Sequence, residues 1–223
     1  LAKESNSKRK RQKAPGLEEE YRLIKNGFKN IAGLDEAGRG ALSGPIVAAA
    51  CILNHNKRLY KIRDSKLLGP NKRETLAKKI KQEAKAHSFG IVENSEIEKF
   101  GLHKAGLLAL KRAVERLKIK PDFILVDYYK VPDIPISQKS IIKGDSVCAS
   151  IAAASILAKV FRDNLMSRLA KRYPGYFFEE NKGYGTKKHL EALKKLGPCK
   201  IHRRNFGPVR KIKKLKGKSK NHN

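Results

Sequence analysis

Residues 31–53 read IAGLDEAGRGALSGPIVAAACIL, and this stretch decides the fold. Its two apolar segments, IAGL and PIVAAACIL, read as buried β-strands joined by a Gly-rich connection. Working outward, residues 17–30 are charged enough for a short helix lying over the edge of that pair. Residues 70–87 are helical in composition, with Asn71 as the expected cap. SFGIVEN (88–94) reads as a strand, and Leu107, Leu110, Val114 and Leu117 place a helix over 101–118, stopped by Pro121. FILVDYY (123–129) is the most strand-like segment in the chain. Residues 147–172 form a long helical pattern whose first half is small and apolar, and TKKHLEALKKLG (186–197) is a last helix closed by Gly197-Pro198. No internal repeat is visible. The order of elements predicts one α/β domain carrying two basic ends.

Charge bounds what such a domain does. The 223 residues contain 51 Lys+Arg and 21 Asp+Glu, a net charge of +30. Residues 1–15 hold six bases and one acid, and residues 200–223 hold ten bases and no acid. The body between them, 16–199, still has 35 bases against 20 acids. A surface that positive points to a polyanion as partner, nucleic acid first and an anionic membrane second. The longest apolar run, Ile46–Leu53, is far short of a membrane span, and Leu1-Ala2-Lys3-Glu4 opens no secretory signal. The chain begins at Leu1 rather than Met, which leaves its natural start open. Three widely spaced cysteines and six histidines form neither a disulfide framework nor a zinc motif, which suits a soluble protein of a reducing compartment, the cytoplasm. Residues 1–16 and the Lys-rich end from 210 read as disordered arms. Lys8-Arg9-Lys10-Arg11 resembles a nuclear-localisation run, but such runs also bind nucleic acid without addressing anything.

Four acids stand out in so basic a chain. Asp35 and Glu36 close IAGL, Asp127 follows FILV, and Asp145 follows IIKG at the head of the small-residue helix. In an α/β sheet, ligands gather at strand ends. Carboxylates converging there need a cation to ionise together, and Mg²⁺ or Mn²⁺ suits oxygen ligands. Two such ions roughly 3.5–4 Å apart would drive in-line attack of water on a phosphodiester. Adjacent strand residues point to opposite faces, so this reading expects the strand to end or bulge at Glu36. The plain alternative makes each acid a cap or turn residue. The stretch Gly38-Arg39-Gly40 either brings main-chain groups close to a ligand or is a bare turn. It is no dinucleotide fingerprint, since Ser43 occupies the last position and the adjacent acids would repel a pyrophosphate; no P-loop is present either.

The ordered set GLDEAGRGALSGPIVAAACIL (33–53), Asp64-Ser65-Lys66, ILVD ending at Asp127, KGDSVCASIAAASILAKVFRD (143–163), YPGY (173–176), GYGT (183–186) and HRRNF (202–206) resembles ribonuclease HII, the type 2 ribonucleases H. The likeness spans about Ile31 to Val209. It implies a ribonuclease H-like mixed β-sheet flanked by helices, with a helical C-terminal region. The corresponding division is a 1–30 arm with a short helix, a 31–209 catalytic domain and a 210–223 tail. By resemblance, Asp35, Glu36, Asp127 and Asp145 bind Mg²⁺ or Mn²⁺ and cut the RNA strand of an RNA–DNA hybrid, leaving 3′-hydroxyl and 5′-phosphate ends. Gly38, Arg39 and Gly40 would sense the ribose 2′-hydroxyl, and Lys66 would contact phosphate. Tyr184 would stack on the deoxyribose after the ribonucleotide, permitting incision at a single ribonucleotide embedded in duplex DNA. A monomer is expected.

Two positions depart from the family pattern: Tyr128 stands where Gly is usual, and Asn205 where Ser is usual. The sister type 3 enzymes carry an extra N-terminal substrate-binding domain, and only about thirty residues precede Ile31, which favours type 2. Lys143, Lys159 and Arg162 are equally readable as strand-holding or as surface charge. His202, Arg203 and Arg204 are expected at the nucleic-acid backbone, and Tyr184 could instead be a surface tyrosine over the 186–197 helix. The competing class is a non-catalytic basic RNA-binding protein of ribosomal type, which would tolerate EDTA and leaves the four acids unexplained.

Overall fold

The computed structural model describes residues 14–54 and 69–212; Asp64, Ser65, Lys66 and residues 1–13 and 213–223 lie outside the described residues. The arms expected to be disordered over 1–16 and from 210 are ordered at their inner ends, because Gly16 pairs with Cys148 and Ile212 is buried against the C-terminal apolar cluster. Its centre is a five-stranded mixed sheet in the order β3-β2-β1-β4-β5. The strands are β1 (Ile31–Ala37), β2 (Ile46–Ile52), β3 (Ala86–Val92), β4 (Phe123–Asp127) and β5 (Ser137–Ile141). β1, β2 and β3 pair antiparallel, whereas β1, β4 and β5 run parallel. All seven residues of β2 are buried, because helices cover both faces of the strand. Ala48 and Ala50 face the core under α4 (Leu102–Glu115), and Ala49 and Cys51 face the core under α6 (Ala149–Arg172). Gly33 lets α6 lie directly on β1: a Cβ there would stand 2.0 Å from the main chain of Ser150. That contact sets the height of every functional side chain α6 carries.

The expected strands and main helices are present, with shifted boundaries. The helix expected over 70–87 is α2 (Pro70–Glu83); Gly69, not Asn71, occupies its N-cap, with Pro70 opening the first turn. β3 then begins at Ala86, so the last expected helical residues are strand. A helix unannounced by spacing, α3 (Asn94–Phe100), precedes α4 and is held by a Glu93/Glu96 capping box. The strand expected over 123–129 stops at Asp127, because Tyr128 turns into the left-handed region at φ 70°. The long helix over 147–172 is preceded by a single turn, α5 (Gly144–Val147), with Cys148 extended between them.

Near the N-terminus, α1 (Glu18–Lys25) docks against the start of α6. Its buried Glu20 accepts hydrogen bonds from the Ser150 amide and hydroxyl at 2.8 and 2.7 Å. The C-terminal region, with α7 (Phe178–Asn181) and α8 (Lys187–Leu196), packs on a third apolar cluster around Met166, Phe178 and Leu193. Among the described residues, no helix is long and apolar enough to cross a membrane.

Candidate active site

Parallel pairing of β1 with β4 reaches Leu34↔Val126, so Asp35 and Asp127 are the next residues on neighbouring strands. No bulge occurs at Glu36. β1 stays in register with β2 through Asp35↔Ala49, Glu36↔Ala48 and Ala37↔Val47. The expectation of a break is therefore corrected, and the reason is geometric. Asp35 leaves the face covered by α6, and Glu36 leaves the face covered by α4. β4 ends at Asp127, so the cavity wraps the open end of the sheet and meets both faces. Asp35, Glu36 and Asp127 all line this cavity of about 340 Å³.

Their charges interact. Burial first, then the neighbouring Glu36 and Asp127 carboxylates, holds Asp35 well above the usual carboxylate range; a Ser155 hydrogen bond opposes this. Asp35 also accepts the Glu36 amide at 2.7 Å. Burial likewise raises Glu36, against the pull of Arg39, whose guanidinium donates to it at 3.1 Å. Asp127 accepts the Gly144 amide at 2.8 Å, which ties β4 to α5. Asp145, next in α5, is 2% exposed and takes the Ser146 hydroxyl at 3.4 Å, but does not line the cavity. Among the described residues, no three His, Cys, Asp or Glu side chains already stand in an ion-holding cluster.

Cations ring the acids. Arg39, Arg73 and Lys159 line the same cavity, and Lys159 pairs with Asp163 at 2.6 Å. Tyr184 lines it too, with the Lys159 ammonium and the Arg162 guanidinium each 5.2 Å from its ring centre. Tyr184 therefore belongs to the cavity wall rather than to a patch over α8 alone. Gly38 also lines the cavity, whereas Gly40 is exposed outside it and Lys143 is exposed on the turn before α5.

Two arginines play a part that the sequence reading did not assign. Arg162 is fully buried and donates to the carbonyls of Pro45, Ser43 and Lys182 at 2.9–3.0 Å. It is neither surface charge nor a strand-holding residue. Gly38 sits against it at φ +96°, where a Cβ would fall 2.0 Å from Nε. Arg203, also fully buried, donates to the carbonyls of Arg39 and Gly44. The backbone Arg203 contacts is the protein's own, which corrects the expectation of a nucleic-acid contact there. His202 is buried beside it, and only Arg204 of that trio is exposed. Arg73 and Ser155 were also missed. Arg73 is one base among many on a Lys-rich helix, and Ser155 is one small residue among many on α6, so neither carried a signal.

A family model described as Ribonuclease HII matches residues 32–209. The chain belongs to the ribonuclease HII family. A ribonuclease HII of Desulfitobacterium hafniense is 53% identical over 193 residues, covering 86% of this chain and 74% of that protein. The crystal structure of ribonuclease H2 from Pyrococcus horikoshii superposes with a TM-score of 0.71 at 28% identity, over 84% of this chain and 98% of that one. Bst ribonuclease HIII in complex with Mn²⁺ shares the fold, with a TM-score of 0.67 at 21% identity over 83% and 70% of the two chains. As a ribonuclease HII family member the protein is a ribonuclease H, an endonuclease of the hydrolase class. That sets aside the non-catalytic RNA-binding reading. The ribonuclease H-like mixed sheet is the fold that the sequence led us to expect.

Proposed function

We propose that the protein hydrolyses the RNA strand of RNA–DNA hybrids and also incises at single ribonucleotides embedded in duplex DNA, leaving 3′-hydroxyl and 5′-phosphate ends. The observation that carries this reading is the convergence of Asp35, Glu36 and Asp127 on one cation-rimmed cavity. The donor chemistry fits a hard divalent ion: three carboxylates line one cavity, burial and like-charge repulsion hold Asp35 and Glu36 above the usual carboxylate range, and no thiolate or imidazole stands among them. Asp35, Glu36, Asp127 and Asp145 would hold two Mg²⁺ or Mn²⁺ ions, Asp145 from its place beside the Gly144–Asp127 link. Bound there, such ions supply Lewis-acid stabilisation of phosphodiester charge and a more acidic water.

The chain's own side chains account for the rest. Arg39, Arg73 and Lys159 offset the charge of the scissile phosphate and its neighbours. Gly38, Arg39 and Gly40 present main chain to the 2′-hydroxyl that tells RNA from DNA, held in place by Arg162 and Arg203. Tyr184 offers its ring to the sugar after the ribonucleotide, and Lys66, outside the described residues, keeps the phosphate-contact role that the family motif implies. We assign a monomer acting in the cytoplasm, in DNA replication and repair.

Labelled RNA–DNA hybrid, RNA duplex, DNA duplex and DNA with one ribonucleotide, each incubated with Mg²⁺, Mn²⁺ or EDTA, test the reading. Cleavage of the first and last alone, abolished by EDTA, is expected. Equal cleavage of all four, or of none, would overturn it.

A further inference from the structure

Tyr128 is poorly explained by the fold that contains it. Its backbone lies at φ 70°, where a side chain carries a steric cost that glycine does not. Its ring is not buried in return: the residue is 57% exposed. The ring does touch another aromatic, standing edge-on to Tyr129 with centroids 4.5 Å apart. Tyr129 in turn meets His103 of α4 at 4.8 Å and lies under the Arg39 guanidinium at 5.3 Å. Arg39 is paired with Glu36 inside the acidic cavity. A continuous run of contacts thus leads from a cavity carboxylate, through Arg39 and Tyr129, to an exposed aromatic face directly after Asp127.

Tyr184 stands on the other flank, packed with Lys159 and Arg162 of α6. The cavity at the sheet end therefore has a cation-backed tyrosine on its α6 side and a cation-backed tyrosine pair on its α4 side. Backbone strain kept at an exposed residue beside an active site is characteristic of a residue used by something outside the fold. In a chain of net charge +30, the partner reaching this rim is an anionic strand, and aromatic faces hold such strands by stacking on bases and sugars.

We propose that Tyr128, buttressed by Tyr129, is a second stacking platform for the nucleic-acid substrate, gripping it across the cleavage point from Tyr184. The proposal rests on the hybrid-cleaving function above.

Tyr128→Gly and Tyr128→Phe test it, because neither removes a buried contact. In Tyr128→Gly the relief of strain should leave the melting temperature unchanged or raise it by about 2–4 °C. The dissociation constant for an RNA–DNA hybrid, measured in EDTA, and the KM in Mg²⁺ or Mn²⁺ should both rise about fivefold or more, with kcat within twofold. Tyr128→Phe should keep wild-type affinity. Unchanged affinity in Tyr128→Gly would overturn the proposal. So would weaker binding accompanied by a lower melting temperature, which would make the tyrosine structural. Loss of affinity in Tyr128→Phe would move the contact from the ring to the hydroxyl and overturn the platform. Wild-type protein that neither binds nor cuts hybrid would instead sink the function reading itself, and this proposal with it.

Discussion

Asp35 sits 9% exposed between two other carboxylates, in a position that costs the fold and that the proposed reaction would use. Asp35→Asn keeps the shape while removing one of the crowded charges. Turnover should fall more than about 100-fold, a barrier increase above roughly 2.7 kcal/mol. The melting temperature in EDTA should stay level or rise, since like charges no longer face each other. Cleavage rates with thermal melts on the same sample check both, and turnover within about tenfold of wild type would remove Asp35 from the reacting centre. Tyr184 calls for a different measurement. If its ring reads one sugar, Tyr184→Ala should lose cleavage at a single embedded ribonucleotide more than on a long hybrid, by about 1–3 kcal/mol in stacking. The long hybrid offers many registers and the single ribonucleotide only one. Parallel kinetics decide it, and equal losses would return Tyr184 to a packing role.

Between the elements, the loop that follows β1 is held by side chains from far along the chain. Arg162 of α6 and Arg203 grip its carbonyls, and its Leu42 and Ser43 amides donate to the Gly183 carbonyl. The turn bearing Tyr184 is held in its own way. The Tyr184 carbonyl can only accept, so His189 donates to it from Nδ1 at 2.8 Å and leaves Nε2 bare. His202 then donates from Nε2 across 3.1 Å, and its bare Nδ1 accepts the Cys199 amide at 3.0 Å. Both imidazoles must be neutral for this chain to close. Burial, with His189 alongside, pushes His202 down to about 4 from an ordinary 6.5. A histidine held neutral contributes fully above about pH 6.5, and its contribution is lost as pH falls from there towards 4, because the unfolded chain takes up the proton first. Up to about 3 kcal/mol is at stake. Denaturant unfolding from pH 7.5 to 4 should therefore steepen below 6.5 in wild type and flatten in His202→Gln; identical slopes would show that His202 does not couple pH to stability.

At the scale of the whole molecule, charge and core divide the work. The described body carries the cavity, and residues 1–13 and 213–223 add eleven bases and one acid. Phosphate contacts from such ends are sequence-blind and salt-sensitive. A chain trimmed to residues 14–212 should bind hybrid more weakly, with a shallower dependence of log affinity on log salt, and cut at the same positions. An unchanged salt slope would mean that the ends do not touch the duplex. Local pattern alone was enough to foretell much of this protein. The apolar run IVAAACI, short and bounded by Gly44-Pro45, reads as a strand covered on both faces, and acids that end apolar runs in a basic chain announce Asp35, Glu36 and Asp127. Those are properties of neighbours in sequence. The capping box that starts α3 was also local, yet its apolar face is too sparse to announce a helix. The rest depended on distance through the fold. Whether Glu36 could join Asp35 turned on where β4 stops, not on the strand that carries them both. That Arg162 and Arg203 serve carbonyls rather than phosphates, and that Arg73 and Ser155 reach the cavity, follows from helices and loops brought together from distant parts of the chain. A basic or small side chain looks the same in sequence whatever it meets, and only packing decides what that is.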